Sequence, residues 1–232
     1  MRRVSNGGSE PGVKRYVLHF ETLIRHTVRK FAAGLAEGAW VLDAGAGECQ
    51  YAECFSRQRY LAVDLGVGSA RWNYGSLDAR ADLETLPFAD ASFDAAICIV
   101  ALEHVREPAL VLREIARTLR PAAALLLVVP FFWEIHQAPH DYWRFTRHGI
   151  SALLEQNGFG EIAVDPAGGY FRLLARTLAN GIKFFMKGWL WTLFPFAVML
   201  LAPAAMIAPV FDGLDARRDF TLGYICEAKR SS

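Results

Sequence analysis

The sequence lacks a dominant charge. Its 25 Lys and Arg face 24 Asp and Glu, a formal net charge of +1. Without a basic field to hold phosphates, nucleic acid is not an expected partner. It is poor in cysteine: Cys49, Cys54, Cys98 and Cys226 form no CxxC pair and have no histidine at zinc-binding spacing. Reduced thiols in a cytoplasmic compartment are the expectation. No apolar run follows the opening MRRVSNGGSEPG, so no signal peptide is expected, and residues 1–12 read as a flexible tail. Internal repeats and low-complexity tracts are absent. With 53% hydrophobic and 21% charged residues, a disordered chain is excluded. A length of 232 residues suits one domain, here 13–232, with a decoration.

What the chain does have is an uneven load of apolar residues. From Gly188 to Phe211 there is no charged residue, although Pro195, Pro203 and Pro209 interrupt the run. Length nominates a membrane span, and the prolines argue against one straight helix. The preceding segment carries Arg172, Arg176, Lys183 and Lys187 and no acid. At about 100° per residue these four form one basic stripe on an otherwise apolar helix. That pattern predicts a peripheral membrane-surface contact over 171–211. The competing expectation is a helical pair buried on its own domain or against a twin subunit.

Upstream of residue 170 the pattern alternates between helix and strand. Helices are predicted over 14–36, 49–58, 107–119 and 149–157. Strands are predicted over 40–45, 59–64, 80–82, 93–100, 122–129 and 161–164, with a last one over 220–226. Strands apolar throughout, alternating with helices, predict an α/β fold with a mostly parallel sheet covered on both faces. The first strand runs into Asp43-Ala-Gly45-Ala-Gly47. Glycines there let a ligand approach the backbone at the sheet's carboxyl edge. Position 50 is Gln, so the third glycine of a dinucleotide fingerprint is missing, which weakens a nicotinamide oxidoreductase. Asp43 would repel a pyrophosphate and suits a cationic ligand. Asp64, ending the second strand, is placed to accept ribose hydroxyls. A ribose, an ammonium and no phosphate describe S-adenosylmethionine.

On these residues the sequence resembles the class I S-adenosylmethionine-dependent methyltransferases, in the broad group that includes the quinone-biosynthesis enzymes. The matching stretches are VLDAGAG (41–47), VDL (63–65), ADLETLPFADASFDAAI (81–97), LEHV (102–105) and LRPAAALLLVVP (119–130). The resemblance implies a Rossmann-like sheet of seven strands with an antiparallel last strand. It also implies that residues 171–216 are an apolar helical insertion between strands six and seven. S-adenosyl-L-methionine is the implied cofactor. Asp43, Gly45 and Gly47 would line its methionine end, Asp64 its ribose, and Leu65 its adenine. Asp82 would meet the adenine amino group, with Leu83 beside it, and Ile99 and Val100 would close the site. Asp82 alternatively reads as a turn cap.

The segment 130–148 leaves the ligand-binding edge with three histidines and six aromatics, the makings of an acceptor pocket. Trp133, His136, Tyr142 and Arg144 are its candidate substrate-binding residues. His140 is the candidate general base with Asp141 as its orienter, and His104 is the second candidate. The alternative for the first pair is a loop fixed by backbone hydrogen bonds, with Arg144 on an acid. His19 and His26 read as packing or lid residues. No metal is expected: some relatives use acids here, but Val100 stands three before Glu103 and leaves that pattern incomplete. The run PHDYWRFT resembles bacterial methyltransferases associated with cell-envelope glycan genes. A small, lipophilic or lipid-linked acceptor at the inner face of the membrane is the expected substrate class. A non-catalytic cofactor-binding or scaffolding subunit is the alternative.

Overall fold

A computed structural model describes residues 19–68 and 72–231. The tail expected over 1–12, and the start of the helix expected from residue 14, lie outside the described residues. The chain divides into two compact units, one of Ile24–Asp165 with Tyr224–Ser232, the other of Met1–Leu23 with Pro166–Gly223.

The first unit carries the sheet. Its elements are α1 (His19–Gly34, beginning in the other unit), β1 (Trp40–Ala44), β2 (Arg59–Asp64), β3 (Ala79–Arg80) and β4 (Phe93–Ile99). They continue with α2 (Pro108–Thr118), β5 (Leu119–Pro130), α3 (Arg147–Gln156), β6 (Phe159–Pro166) and β7 (Gly223–Arg230). The strand order is β3-β2-β1-β4-β5-β7-β6, mostly parallel with one antiparallel strand. The central strands are buried on both faces: Val41, Leu42, Ala95, Ala96, Ile97, Leu125, Leu126 and Leu127 are all fully covered. That is why they read as unbroken apolar runs. Pro108 starts α2 at its first turn, where its missing N–H is harmless. The α2 stripe Val111, Leu112 and Ile115 joins the core.

β1 has β2 on one side and β4 on the other. Chain order reverses across it, so the turns leaving β1 and β4 open a crevice at the carboxyl edge, where α/β sheets bind ligands. One expectation fails nearby. The helix predicted over 49–58 is only a short 3-10 turn, Ala52–Phe55. Cys49, the first residue of that range, has a left-handed backbone, φ 58°, so a helix cannot start there.

The second unit is helical. It holds α4 (Tyr170–Ile182), 3-10 turns over Lys183–Met186 and Gly188–Leu193, α5 (Phe194–Ile207) and a turn over Ala208–Leu214. The insertion expected over 171–216 lies within it. α4 packs on α5 and on the 208–214 turn. At the base, the Ala167 amide donates to the Gly223 carbonyl at 2.9 Å.

The basic stripe is corrected by this unit. Arg172 donates through Nε to Asp212 at 3.1 Å and meets His19. Arg176 pairs with Glu21 at 3.4 Å, and α4 ends before Lys183. The segment has no acid of its own, but acids distant in sequence come to it. Exposure is instead apolar: Trp189 is 77% exposed, Phe184 76% and Leu200 71%.

Asp212, itself buried, also caps α4 by accepting from the Gly169 and Arg172 amides at 3.1–3.2 Å. Asp215 accepts from the Tyr170 amide at 2.8 Å. Together they satisfy amides that a helix start leaves orphaned. Asp212→Ala is expected to weaken α4 by about 1–3 kcal/mol. Hydrogen exchange over 170–182 is the measurement, and unchanged protection there contradicts the capping role.

Candidate functional site

The crevice is organised by Asp64 at the end of β2. Its Oδ2 accepts from the Gly47 amide at 3.0 Å and its Oδ1 from the Gly66 amide at 2.7 Å. One carboxylate thus ties the turn after β1 to the turn after β2. Each oxygen keeps a second lone pair, so the hydroxyl-accepting role expected of Asp64 remains chemically available.

The glycines are required by space and backbone. Gly45 has φ +88°, and a Cβ there would fall 2.4 Å from the Ala101 side chain. No other residue fits. Gly47 has φ +52° and lies beneath the Trp72 ring, which would stand 3.6 Å from an added Cβ. Trp72 therefore roofs the turn, a contact no motif announces. At the end of β4, Val100 also has a left-handed backbone, φ 53°. A β-branched residue rarely holds that conformation, and such strain concentrates at functional edges.

Asp43 lies behind this turn, 1% exposed. The Tyr60 hydroxyl donates to its Oδ2. Tyr60 follows from register: Asp43 pairs with Ala62, and residue 60 lies on the same strand face as 62. Burial pushes the Asp43 carboxyl up to about 7, the Tyr60 hydrogen bond opposes this, and the charge of Asp64 adds to it.

The other expected cofactor residues divide. Leu83 is buried, 3.6 Å from the position of a Gly45 Cβ, and Ile99 is buried at the end of β4. Leu65 is half exposed. Asp82 is exposed, and its Oδ1 accepts from the Glu84 amide at 3.0 Å, the turn-capping geometry.

The 131–148 segment is braced from within. Asp141 accepts from both terminal nitrogens of Arg144, at 2.6 and 2.8 Å, and from the His136 amide at 2.8 Å. Arg144 holds the Asp141 carboxyl down at about 2, against its desolvation. Asp141 thus faces Arg144 and His136 rather than His140. The His140 ring instead meets the Tyr142 hydroxyl at 3.2 Å. Adjacent residues on an extended chain point to opposite sides, so sequence neighbours need not form a dyad. Arg144 also donates to the Trp133 and Glu134 carbonyls at 3.4 and 3.1 Å. It serves as a brace for this segment. Tyr142 and Trp143 remain accessible, Tyr142 beneath the Arg106 guanidinium at 5.6 Å.

Three residues not singled out as a set come together here. Glu103 is completely buried, and its Oε1 lies 3.7 Å from His104 Nε2 and 3.5 Å from His136 Nε2. Glu103 raises the pKa of the His136 imidazole, overcoming its desolvation. His136 comes from a loop 33 residues further on, so spacing gave no signal.

Residues 42–127 match the family model described as a methyltransferase domain. A "probable S-adenosylmethionine-dependent methyltransferase" of Mycobacterium tuberculosis is 36% identical over 97 residues, 39% of this chain and 35% of that one. A ubiquinone biosynthesis O-methyltransferase of Hahella chejuensis is 32% identical over 116 residues, 45% of this chain and 47% of that one. The chain thus spans less than half the length of these curated relatives. Among solved structures, phosphoethanolamine N-methyltransferase 2 of Haemonchus contortus with S-adenosyl-L-methionine superposes with a TM-score of 0.59. It is 16% identical, over 90% of this chain and 52% of that one. SpnF, a cyclase, superposes with a TM-score of 0.55 at 20% identity, over 90% of this chain and 80% of that one. At these identities the structural likeness is one of fold.

The raised Asp43 pKa sets a pH dependence. The unfolded chain ionises this acid near pH ~4, the folded chain only near about 7. Stability is therefore full below the lower value and is lost as pH rises to the higher. The loss reaches roughly 4 kcal/mol. Asp43→Asn is expected to gain melting temperature relative to the parent between those limits, with a plateau above. Thermal melts of ligand-free protein across that range test this, and a pH-independent difference contradicts it.

Proposed function

We propose that this chain, which carries a class I S-adenosylmethionine-dependent methyltransferase domain, transfers the cofactor's methyl group to a small lipophilic or lipid-linked acceptor at a membrane surface. The observation that carries the cofactor half is the Asp64 carboxylate bridging the two turns of the crevice, with the buried Asp43 behind it. Asp64 has lone pairs for ribose hydroxyls. Asp43 supplies negative charge near a sulfonium and an ammonium. Gly45 and Gly47 leave room for the methionine end, Leu83 and Ile99 provide apolar walls, and Leu65 and Asp82 lie towards the adenine. Val100 and Trp72 shape the crevice rim.

Transfer needs alignment, exclusion of water and, for a hydroxyl acceptor, loss of a proton. The acceptor atom's lone pair forms a bond to the methyl carbon as the carbon–sulfur bond breaks. The bonding pair stays on sulfur, leaving neutral S-adenosylhomocysteine. His104 and His136, held around Glu103, are better placed than the half-buried His140 ring, which turns to the Tyr142 hydroxyl, to influence that proton. Trp133, Tyr142 and Trp143 supply aromatic surface for an apolar acceptor.

The acceptor's character is argued from the second unit. Trp189, Leu200, Val210 and Leu214 are each more than 70% exposed, far more apolar surface than a water-facing helical pair needs. A bilayer interface covers such surface, with tryptophans at the headgroups. The run Gly188–Leu214 is helical and apolar enough to cross a membrane by length, but both ends of the insertion return to neighbouring strands of one sheet, which suits an in-plane pair on the inner leaflet rather than a single span. Membrane docking holds the enzyme where lipid-borne acceptors, including envelope glycan intermediates, are concentrated.

Two experiments test the reading. Incubating the protein with methyl-labelled cofactor and bacterial membranes is expected to label an organic-extractable product. Cofactor binding without labelled product would favour a non-catalytic subunit. Trp189→Glu and Leu200→Glu are each expected to reduce co-sedimentation with anionic lipid vesicles about tenfold or more. Unchanged partition, with a dimer in sedimentation, would assign the apolar face to a second copy instead.

A further inference from the structure

The Glu103, His104 and His136 cluster has an unresolved balance of charge and hydrogen. Both Glu103 carboxylate oxygens, His104 Nε2 and His136 Nε2 are buried without a hydrogen-bond partner. Each histidine is oriented from its far side. His104 Nδ1 donates to the His140 carbonyl, and His136 Nδ1 to the Glu134 carbonyl at 3.2 Å. A carbonyl oxygen only accepts, so each Nδ1 carries the hydrogen and each neutral ring presents a bare Nε2 lone pair. Two nitrogen lone pairs and a carboxylate then converge on one buried point. Leaving such groups unpaired is expensive.

A proton or a metal ion could occupy that point, and the spacing separates them. A charge-assisted N–H···O bond brings its heavy atoms to about 2.7–2.9 Å. The observed separations from Glu103 Oε1 are 3.5 Å to His136 Nε2 and 3.7 Å to His104 Nε2. Ligands about 2.0–2.1 Å from a tetrahedral zinc ion lie about 3.3–3.5 Å from one another. All three ligand atoms already fall within 4.8 Å of one another, so a closure of tenths of an ångström to about 1.5 Å completes the set. The rings meet edge-on, 75° apart, so their nitrogens approach from different directions. The Nδ1–H···O=C contacts are the outer bonds that hold metal-binding imidazoles in place.

We propose that Glu103, His104 and His136 bind one divalent transition-metal ion of the zinc class, leaving a coordination position for an exogenous oxygen or nitrogen ligand. Two imidazoles and a carboxylate favour zinc over magnesium or calcium, which prefer all-oxygen sites. The proposal departs from the expectation of no metal. His136 supplies the third ligand that Val100 denies to an acid-based pattern, and it does so from a distant loop. Asp141 and Arg144 act as positioning residues: Asp141 holds the His136 amide, and Arg144 holds Asp141.

The test uses chelator-stripped full-length protein, titrated with Zn²⁺ alone against a chromophoric chelator and with Co²⁺ alone by visible absorption. Expected are about one equivalent of tightly held metal and the intense d–d bands of a low-coordinate cobalt site. His136→Ala, whose ring is on a surface loop, is expected to lower zinc affinity about 100-fold or more and abolish the cobalt bands. Its melting temperature without metal should stay near the parent's, and zinc should raise that of the parent only. Glu103→Gln provides a second variant, with His148→Ala as the control that leaves affinity unchanged. Folded parent protein that takes up neither metal, or His136→Ala that binds zinc as tightly as the parent, overturns the proposal. Neither readout needs an acceptor, so the outcome is independent of whether methyl transfer is found.

Discussion

The two amides that converge on the Asp64 carboxylate hold the crevice together. Parallel strands β1 and β2 end in separate turns, and nothing in backbone pairing ties one turn to the other. The carboxylate does so, receiving Gly47 on one oxygen and Gly66 on the other. Hydrogen bonds to an ionised acceptor are the strong kind. Once the turns are joined, Gly45 is pressed against Ala101 and Gly47 against Trp72. The crevice is thus the by-product of a fixed distance between two turns.

Around that fixed point the molecule accepts local disadvantages. Asp43 is kept where ionisation is unfavourable, Val100 holds a backbone its side chain resists, and the Glu103 carboxylate is buried without a hydrogen-bond partner. All three lie at the carboxyl edge between β1 and β4. A core chosen for stability alone would contain none of them. Their clustering at one edge is itself an argument for ligand chemistry there.

The parts legible from sequence were those whose causes are local. The glycines after β1, the acid ending β2 and the apolar runs of the buried strands each follow from a few adjacent residues. What was not legible depended on distant partners. The stripe of Arg172 and Arg176 looked free because Asp212 and Glu21 are far away in sequence. His140 beside Asp141 suggested a dyad, whereas Asp141 faces Arg144 and His136. Glu103 and His136 could be joined only once the loop after β5 was seen to fold back. The left-handed angle at Cys49, where a helix was expected to start, is one that its side chain does not advertise.

The stem of the helical insertion has a consequence of another kind. β6 and β7 are sheet neighbours, and the Ala167 amide and Gly223 carbonyl already meet where the insertion begins and ends. A segment whose two ends are neighbours adds little closure entropy however long it grows, because that term rises only with the logarithm of length. Such a junction is a natural splice point: the cassette between these strands can be lengthened, trimmed or exchanged while the strands on either side of it keep their pairing.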